Sequence, residues 1–383
     1  MYDVVVIGQG LSGMLSAIWA KEHGYRTALV ATGSGKIMQS TGVLDLIPGA
    51  DGGLKEWSEL YQLAAIEQSQ LTGAMEQFKI LTKRLGYPYK GDIEHLVPIV
   101  MGSGHIKETA LYPETISPIK EHGQVVIVGF DEVIDFQPAY IKGNLQKARP
   151  QLSIATIEIS LGKQSQRTMT QLDAARLLDK KENLDYCIKQ IKQQMTVREI
   201  SQPDLFIFPA SLGVENWKYT LEQFTKELGA IVTEAPGMPP NTTAIRLHER
   251  LKKEAVKLGV RFYVDTTVVG CKMDRAGIES LTIKTSNHTT DISGKQFILA
   301  TGGILGGGLE VTSDGVKETA LELDADENGN IIHCPENLYP VGASRGFSVT
   351  HNGITGGVYS VLSSHEMVDK LHQQAIIGGI RSA

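Results

Sequence analysis

The run Tyr2 to Ile7, apolar and β-branched from Val4 onward, delivers directly into Gly8-Gln9-Gly10-Leu11-Ser12-Gly13. No other feature constrains the fold as much. A buried strand that ends in G-x-G-x-x-G opens a βαβ unit whose turn takes a phosphate on the N-terminus of the following helix. Gly8 is expected to make the tight turn, Gly10 to let backbone approach the phosphate, and Gly13 to let helix and strand pack closely. Met14 to Lys21 supplies good helix formers, Gly24 closes the helix, and Arg26 to Val30 reads as a second strand. The chain is therefore expected to bind a nucleotide.

In a dinucleotide fold an acidic residue at the end of the second strand accepts hydrogen bonds from the adenosine ribose. Here the position 18 residues after Gly13 is Ala31, which cannot accept one, and the neighbouring Thr32 is the weak substitute. The adenosine half is expected to be loosely held or absent. A mononucleotide flavin, FMN, keeps a phosphate and lacks that ribose, so it tolerates Ala31; FAD is the alternative.

Forty glycines in 383 residues are about 10% against a typical 7%, and the excess clusters at Gly8–Gly13, Gly302–Gly308 and Gly342–Gly357. Lys295 to Ala300 reads as a strand feeding Thr301 and Gly302. Before it, Val260 to Met273, Ile278 to Thr285 and His288 to Ile292 read as an antiparallel meander. The order resembles flavoproteins of the glutathione-reductase and fumarate-reductase type. That class implies a last short strand ending in glycine, here Asn337 to Gly342, and a glycine-bearing helix start beside the flavin ring, here Gly356 and Gly357. Backbone N–H groups there stabilise the negative charge of a reduced flavin. Many members carry an aspartate after the strand-ending glycine; this chain has Ala343.

Narrower strings add to this: Ser40-Thr41-Gly42-Val43-Leu44-Asp45-Leu46, Phe208-Pro209-Ala210-Ser211-Leu212-Gly213, and Pro236-Gly237-Met238-Pro239-Pro240 leading to Ile245-Arg246-Leu247. With Ala300-Thr301-Gly302 and Asn337 to Ala343 they resemble the B subunits of anaerobic glycerol-3-phosphate dehydrogenases over nearly the whole chain, loosely between about 50 and 200. The resemblance implies one flavin-dependent oxidoreductase component of a complex, using FMN. Its partners would be a larger FAD-bearing protein, the A component, and an iron–sulfur protein, the C component, at the inner face of the cell membrane. The complex would oxidise glycerol 3-phosphate to dihydroxyacetone phosphate and pass electrons to quinone. Two other readings stand: an electron-transfer or scaffold subunit without substrate chemistry, and a free-standing flavin oxidoreductase with another substrate.

The expected architecture is α/β. Residues 1–45 and 241–383 form a discontinuous Rossmann-like flavin domain, and 46–240 an inserted α+β cap or substrate domain. Helices are expected at Leu54 to Leu71, Gly73 to Leu85 and Leu172 to Met195, and a strand at Gln124 to Gly129. A net charge of −6 offers phosphate backbones and anionic lipid no general attraction, so nucleic acid is not an expected partner. Cys187, Cys271 and Cys334 stand far apart, which encodes neither a disulfide framework nor an iron–sulfur ligand set and suits a reducing compartment. No secretion signal is read at the N-terminus, and no stretch approaches the roughly 20 apolar residues of a membrane span. The expected location is cytoplasmic, with membrane contact only peripheral, through partners.

Oxidation at C2 of such a substrate needs a base for the hydroxyl proton and cations for the phosphate. His351 precedes the flavin-side helix and is the candidate base, with an idle loop histidine as the other reading. Arg345 and Arg246 are the candidate phosphate clamps, or else surface and packing arginines. Ser40, Thr41 and Gly42 rank as cofactor contacts before catalysts, although a small-residue turn explains them too. The expected cofactor contacts are thus Gly8, Gly10, Gly13, Thr32, Ser40, Thr41, Gly42, Thr301, Gly302, Gly342, Gly356 and Gly357. His333 and Cys334 are adjacent without a partner at metal-ligand spacing, and no metal is expected.

Overall fold

The computed structural model describes residues 1–46, 68–162, 168–275, 277–345 and 356–381. Strand β1 (Tyr2–Ile7), helix α1 (Leu11–Glu22) and strand β2 (Thr27–Ala31) open the chain, and helix α2 spans Gln68–Arg84. The middle alternates β3 (Gly123–Phe130), α3 (Pro138–Ala148), β4 (Leu152–Ile159), α4 (Gln171–Leu178), α5 (Lys181–Val197), β5 (Leu205–Pro209), α6 (Trp217–Leu228) and β6 (Ile231–Ala235). Helix α7 (Thr242–Lys257) leads to β7 (Arg261–Val264), β8 (Thr267–Asp274), β9 (Gly277–Lys284) and β10 (Thr289–Leu299); β11 (Leu338–Pro340) and α8 (Gly356–Arg381) follow. The chain divides into two compact units. The first is Met1–Ile37, Leu44–Gly86 and His248–Ala383; the second is Met38–Val43 and Tyr87–Leu247.

In the first unit the parallel sheet runs β7-β2-β1-β10, with β11 also on β10. Val4 to Ile7, Ala28 to Val30 and Phe297 to Leu299 are buried throughout, as uninterrupted apolar strands covered on both faces must be. Strand β10 is shared. Its first half pairs antiparallel with β9, and from Gly294 it pairs parallel with β1. A Cβ at Gly294 would lie 2.7 Å from Val5 Cγ2, so glycine lets the two strands close. Helix α1 is buried from Ser12 to Ala20 and packs along α8, whose Ser364 Oγ donates to Ser12 O at 3.1 Å.

Two expectations shift here. The single strand expected from Val260 to Met273 is two, because Asp265 takes φ 51; β7 joins the parallel sheet and β8 begins the meander. Gly73 to Leu85 is helical as expected, starting earlier at Gln68, and packs against α8 in the first unit. Most of the helix expected at Leu54 to Leu71 lies outside the described residues.

The second unit is built on a parallel sheet in the order β4-β3-β5-β6. The insertion expected as α+β is thus a second doubly wound α/β arrangement, to which antiparallel hairpins are added, such as Val97–Val100 with Ile106–Thr109. Val125 to Val128 and Phe206 to Phe208 carry its core. The one helix expected from Leu172 to Met195 is two. Thr170 and Asp173 form a capping box that starts α4. The chain then breaks after Leu178, where the Asp179 carboxylate accepts the N–H groups of Val214 (2.9 Å), Glu215 (3.2 Å) and Asn216 (2.9 Å). Among the described residues no helix is long and apolar enough to cross a membrane, and no cluster of three or more metal-ligating side chains occurs.

At the start of β1, Arg26 Nε and Lys295 Nζ approach the Asp3 carboxylate at 3.1 and 3.0 Å. The Arg26 hydrogen bond, chiefly, holds Asp3 well below the usual carboxylate range. Because the folded value is depressed, this stabilisation is present above the unfolded value of about 3.9 and is lost as the pH falls through the folded one. Asp3→Asn should flatten the acid limb of stability below about pH 4, by no more than about 1 kcal/mol since the pair is solvent-screened. Urea unfolding of both forms across the acid range checks this.

Candidate functional site

The site in the first unit grows from the turn between β1 and α1. Gly8 takes φ 105 and its N–H donates to Val30 O at 2.8 Å, while a Cβ on it would lie 2.3 Å from Ala300 O. A Cβ on Gly13 would lie 2.0 Å from Gly8 O. Both glycines are fixed by backbone packing. Gly10 differs: it is the N-cap of α1, and a Cβ there would meet nothing within 4 Å among the described residues. The first turn of α1 has neither a side-chain cap nor an acidic residue, so its N–H groups and positive dipole end are left to an anion.

The other glycine clusters meet this turn. Thr301 Oγ1 donates to Glu318 Oε1 at 3.2 Å, and the Gly302 N–H donates to Ser344 Oγ at 2.7 Å. Gly342, at φ 57, stands where a Cβ would lie 2.1 Å from Ser12 Oγ and 3.2 Å from Ser360 Oγ, one turn into α8. Gly8, Gly10, Gly13, Thr301, Gly302 and Gly342 are thus gathered at the carboxyl ends of β1, β10 and β11. At the head of α8, Gly357 abuts Leu44, whose Cδ2 lies 2.6 Å from a Cβ placed there, and a Cβ at Gly356 would meet nothing within 4 Å among the described residues. Thr32, at the end of β2, is exposed; its hydroxyl lies 3.3 Å from both Thr266 O and Thr267 Oγ1.

Sequence reasoning missed Glu318 and Ser344. Glu318 is fully buried, and burial pushes its carboxyl up while the N–H groups of Leu321 and Ala320 and the Thr301 hydroxyl oppose that. Its neighbours in sequence, Lys317 and Thr319, gave it the look of a surface residue. Ser344 reads as a loop serine until its Oγ is seen to accept from Gly302.

Arg345 is half exposed, 3.9 Å from Glu366 Oε2 and 6.0 Å over the Tyr359 ring, in the same unit. His351 lies outside the described residues. Ser40, Thr41 and Gly42 belong to the second unit, where Thr243 Oγ1 donates to Thr41 O at 2.7 Å and the Tyr89 hydroxyl to Gly42 O at 2.5 Å. Arg246, in that unit, is completely buried. Its Nη1 and Nη2 grip Glu234 at 2.6 and 2.8 Å, and its Nε donates to Gly213 O at 2.7 Å. The expected phosphate clamp gives way to a structural ion pair, because both arms of the guanidinium are already filled by a carboxylate.

The donor set and open space at Gly10 fit a nucleotide phosphate, and the wider likeness agrees. The family described as FAD binding domain matches residues 3–359. The chain belongs to that family. It is similar to the B subunit of the anaerobic glycerol-3-phosphate dehydrogenase of Actinobacillus pleuropneumoniae, 25% identical with 84% of this chain and 79% of the relative covered. The protein of the same name from Aliivibrio fischeri is 27% identical, with 84% and 78% covered. Among solved structures, 3-ketosteroid delta1-dehydrogenase from Sterolibacterium denitrificans is 14% identical over 79% of this chain and 48% of its own, with a TM-score of 0.37, too slight to carry an argument. The expected flavin-dependent oxidoreductase class stands on the family match and the named relatives. The family description speaks for FAD, and the expectation of FMN drawn from Ala31 and Ala343 finds no support in it.

Removing one partner of a buried ion pair strands the other charge, at a cost of about 3–5 kcal/mol. Arg246→Met should therefore lower the unfolding free energy by about that amount, far more than Asp3→Asn does. Denaturant unfolding of the purified variant measures it.

Proposed function

We propose that this chain is a flavin-dependent subunit of an anaerobic glycerol-3-phosphate dehydrogenase, carrying FAD in its first unit and oxidising glycerol 3-phosphate to dihydroxyacetone phosphate. The observation that supports it is the gathering of three glycine clusters around an uncapped helix start, in a chain whose relatives bear that name. Bound there, a flavin supplies an acceptor for the hydride that leaves C2 of the substrate. The chain's own part is to hold and orient. The N–H groups at the start of α1 take the cofactor phosphate. Arg345 has a guanidinium edge exposed to solvent and, among the described residues, a carboxylate partner at 3.9 Å, which suits it to the substrate phosphate. His351 is assigned the hydroxyl proton. A larger FAD-bearing protein and an iron–sulfur protein are the proposed partners, carrying electrons to quinone at the inner membrane face.

The test begins with flavin released by acid from the purified chain and separated by chromatography; FAD is expected. Anaerobic addition of glycerol 3-phosphate should then bleach the flavin absorbance, and glycerol should not. Arg345→Gln should raise the KM about 10-fold to 100-fold with flavin content unchanged. A chain whose flavin is reduced by dithionite but never by glycerol 3-phosphate, alone or with its partners, would be an electron carrier without substrate chemistry.

A further inference from the structure

Glu318 ends the short strand Gly315–Glu318 of the first unit and is completely buried, yet no cation pairs with it among the described residues. Its carboxylate is met by donors instead. The Ala320 N–H reaches Oε1 at 3.0 Å, the Leu321 N–H reaches Oε2 at 2.7 Å, and the Thr301 hydroxyl reaches Oε1 at 3.2 Å. Backbone N–H groups can only donate, so a proton on this carboxyl has one place to point, the Thr301 oxygen. The next residue fastens the strand end to the far side of the same glycine loop, for Thr319 Oγ1 donates to Gly307 O at 2.7 Å.

Thr301 Oγ1 lies 3.2 Å from Ser344 Oγ, which accepts the Gly302 N–H at 2.7 Å and stands 3.4 Å from Gly302 O. One set of heavy atoms therefore admits two proton arrangements. With Glu318 ionised, Ser344 donates to Thr301 and Thr301 to Glu318, and the Gly302 peptide is held by its N–H. With Glu318 protonated, each hydroxyl turns round: Glu318 donates to Thr301, Thr301 to Ser344, and Ser344 to Gly302 O. That last contact is the longest of the chain and must shorten to make a good bond, which pulls on the turn. The charge-assisted hold on Thr301 is lost at the same moment. Thr301 is half-buried and gives the proton its way in.

The charged neighbours are occupied elsewhere. Lys317 lies 3.9 Å from Asp324, and Arg345, beside Ser344, lies 3.9 Å from Glu366. The Cys271 thiol on β8 feels the Glu318 charge, which adds to burial in pushing it up. Burial likewise pushes the Glu318 carboxyl up, so it takes its proton above the ordinary value of about 4.3.

We propose that Glu318 is a positioning residue: ionised, it holds the turn from Thr301 to Gly302 in the form that receives the flavin, and on taking a proton it slackens that hold through Thr301 and Ser344. This rests on the reading of a flavin bound in the first unit. Grip on the cofactor then depends on pH, although Glu318 itself is closed to any ligand.

The test is titration of the flavin-stripped full chain with FAD, followed by flavin fluorescence, from about pH 8 down to about pH 5. Wild-type affinity should fall about 10-fold toward the acid end. Glu318→Gln sets a neutral donor against Thr301 and copies the acid form, so it should bind about 10-fold more weakly at the upper end and fall no further below it. Thr301→Val interrupts the chain with Glu318 in place and should flatten the profile as well, while Thr301→Ser restores the slope. If Glu318→Gln does not fold, the two Thr301 variants decide. A flat wild-type profile, or a Glu318→Gln or Thr301→Val chain that keeps the wild-type slope, overturns the proposal. A wild-type chain that takes up neither FAD nor FMN at any pH overturns the flavin reading itself, and that result appears before any variant is compared.

Discussion

Everything in the first unit depends on one close approach of backbone to backbone. Gly13 sits where a Cβ would be 2.0 Å from Gly8 O, and Gly8 where one would be 2.3 Å from Ala300 O. Helix α1, the turn before it and the end of β10 are thereby pressed into a contact that no side chain could enter. The start of the helix, which has no side-chain cap among the described residues, is thereby held against the turn after β1. Gly342 against Ser12 then brings in β11 and the head of α8 by the same means.

The strand, glycine turn and helix at the start were legible because each has a local signature: an apolar run, a glycine spacing, a helix-forming stretch. The antiparallel strands around Ile278 to Thr285 were legible for the same reason. What sequence could not show was decided by distant partners. Arg246 looks like any arginine after a proline turn, and only the fold reveals that Glu234 fills its guanidinium. Glu318 looks solvent-facing until Thr301 and two N–H groups are found on it. The helix break at Asp179 has no glycine or proline to announce it; the reason for it lies 35 residues on, in the N–H of Val214.

The second unit, like the first, is built on a parallel sheet, and it uses its strand ends differently. In a parallel sheet the loops after the strands are where anions collect. After β5 the available N–H groups are answered from within: Ala210 by Gln171 Oε1 at 2.8 Å, Leu212 by Glu234 Oε1 at 2.7 Å, and Val214 to Asn216 by Asp179. The carboxylates stand where a phosphate would otherwise be welcome. One sheet leaves its donors for a ligand; the other spends them on its own rigidity.

Strand β10 ties the first unit together at another level. Its eleven residues belong to the antiparallel meander at one end and to the parallel sheet at the other. A strand held this way cannot leave one sheet while staying in the other without breaking its own backbone direction. The meander and the parallel sheet share this strand, so an opening that frees one of them disturbs the pairing of the other. Through that strand the meander, far from the glycine turn in sequence, is joined to the sheet that carries the turn.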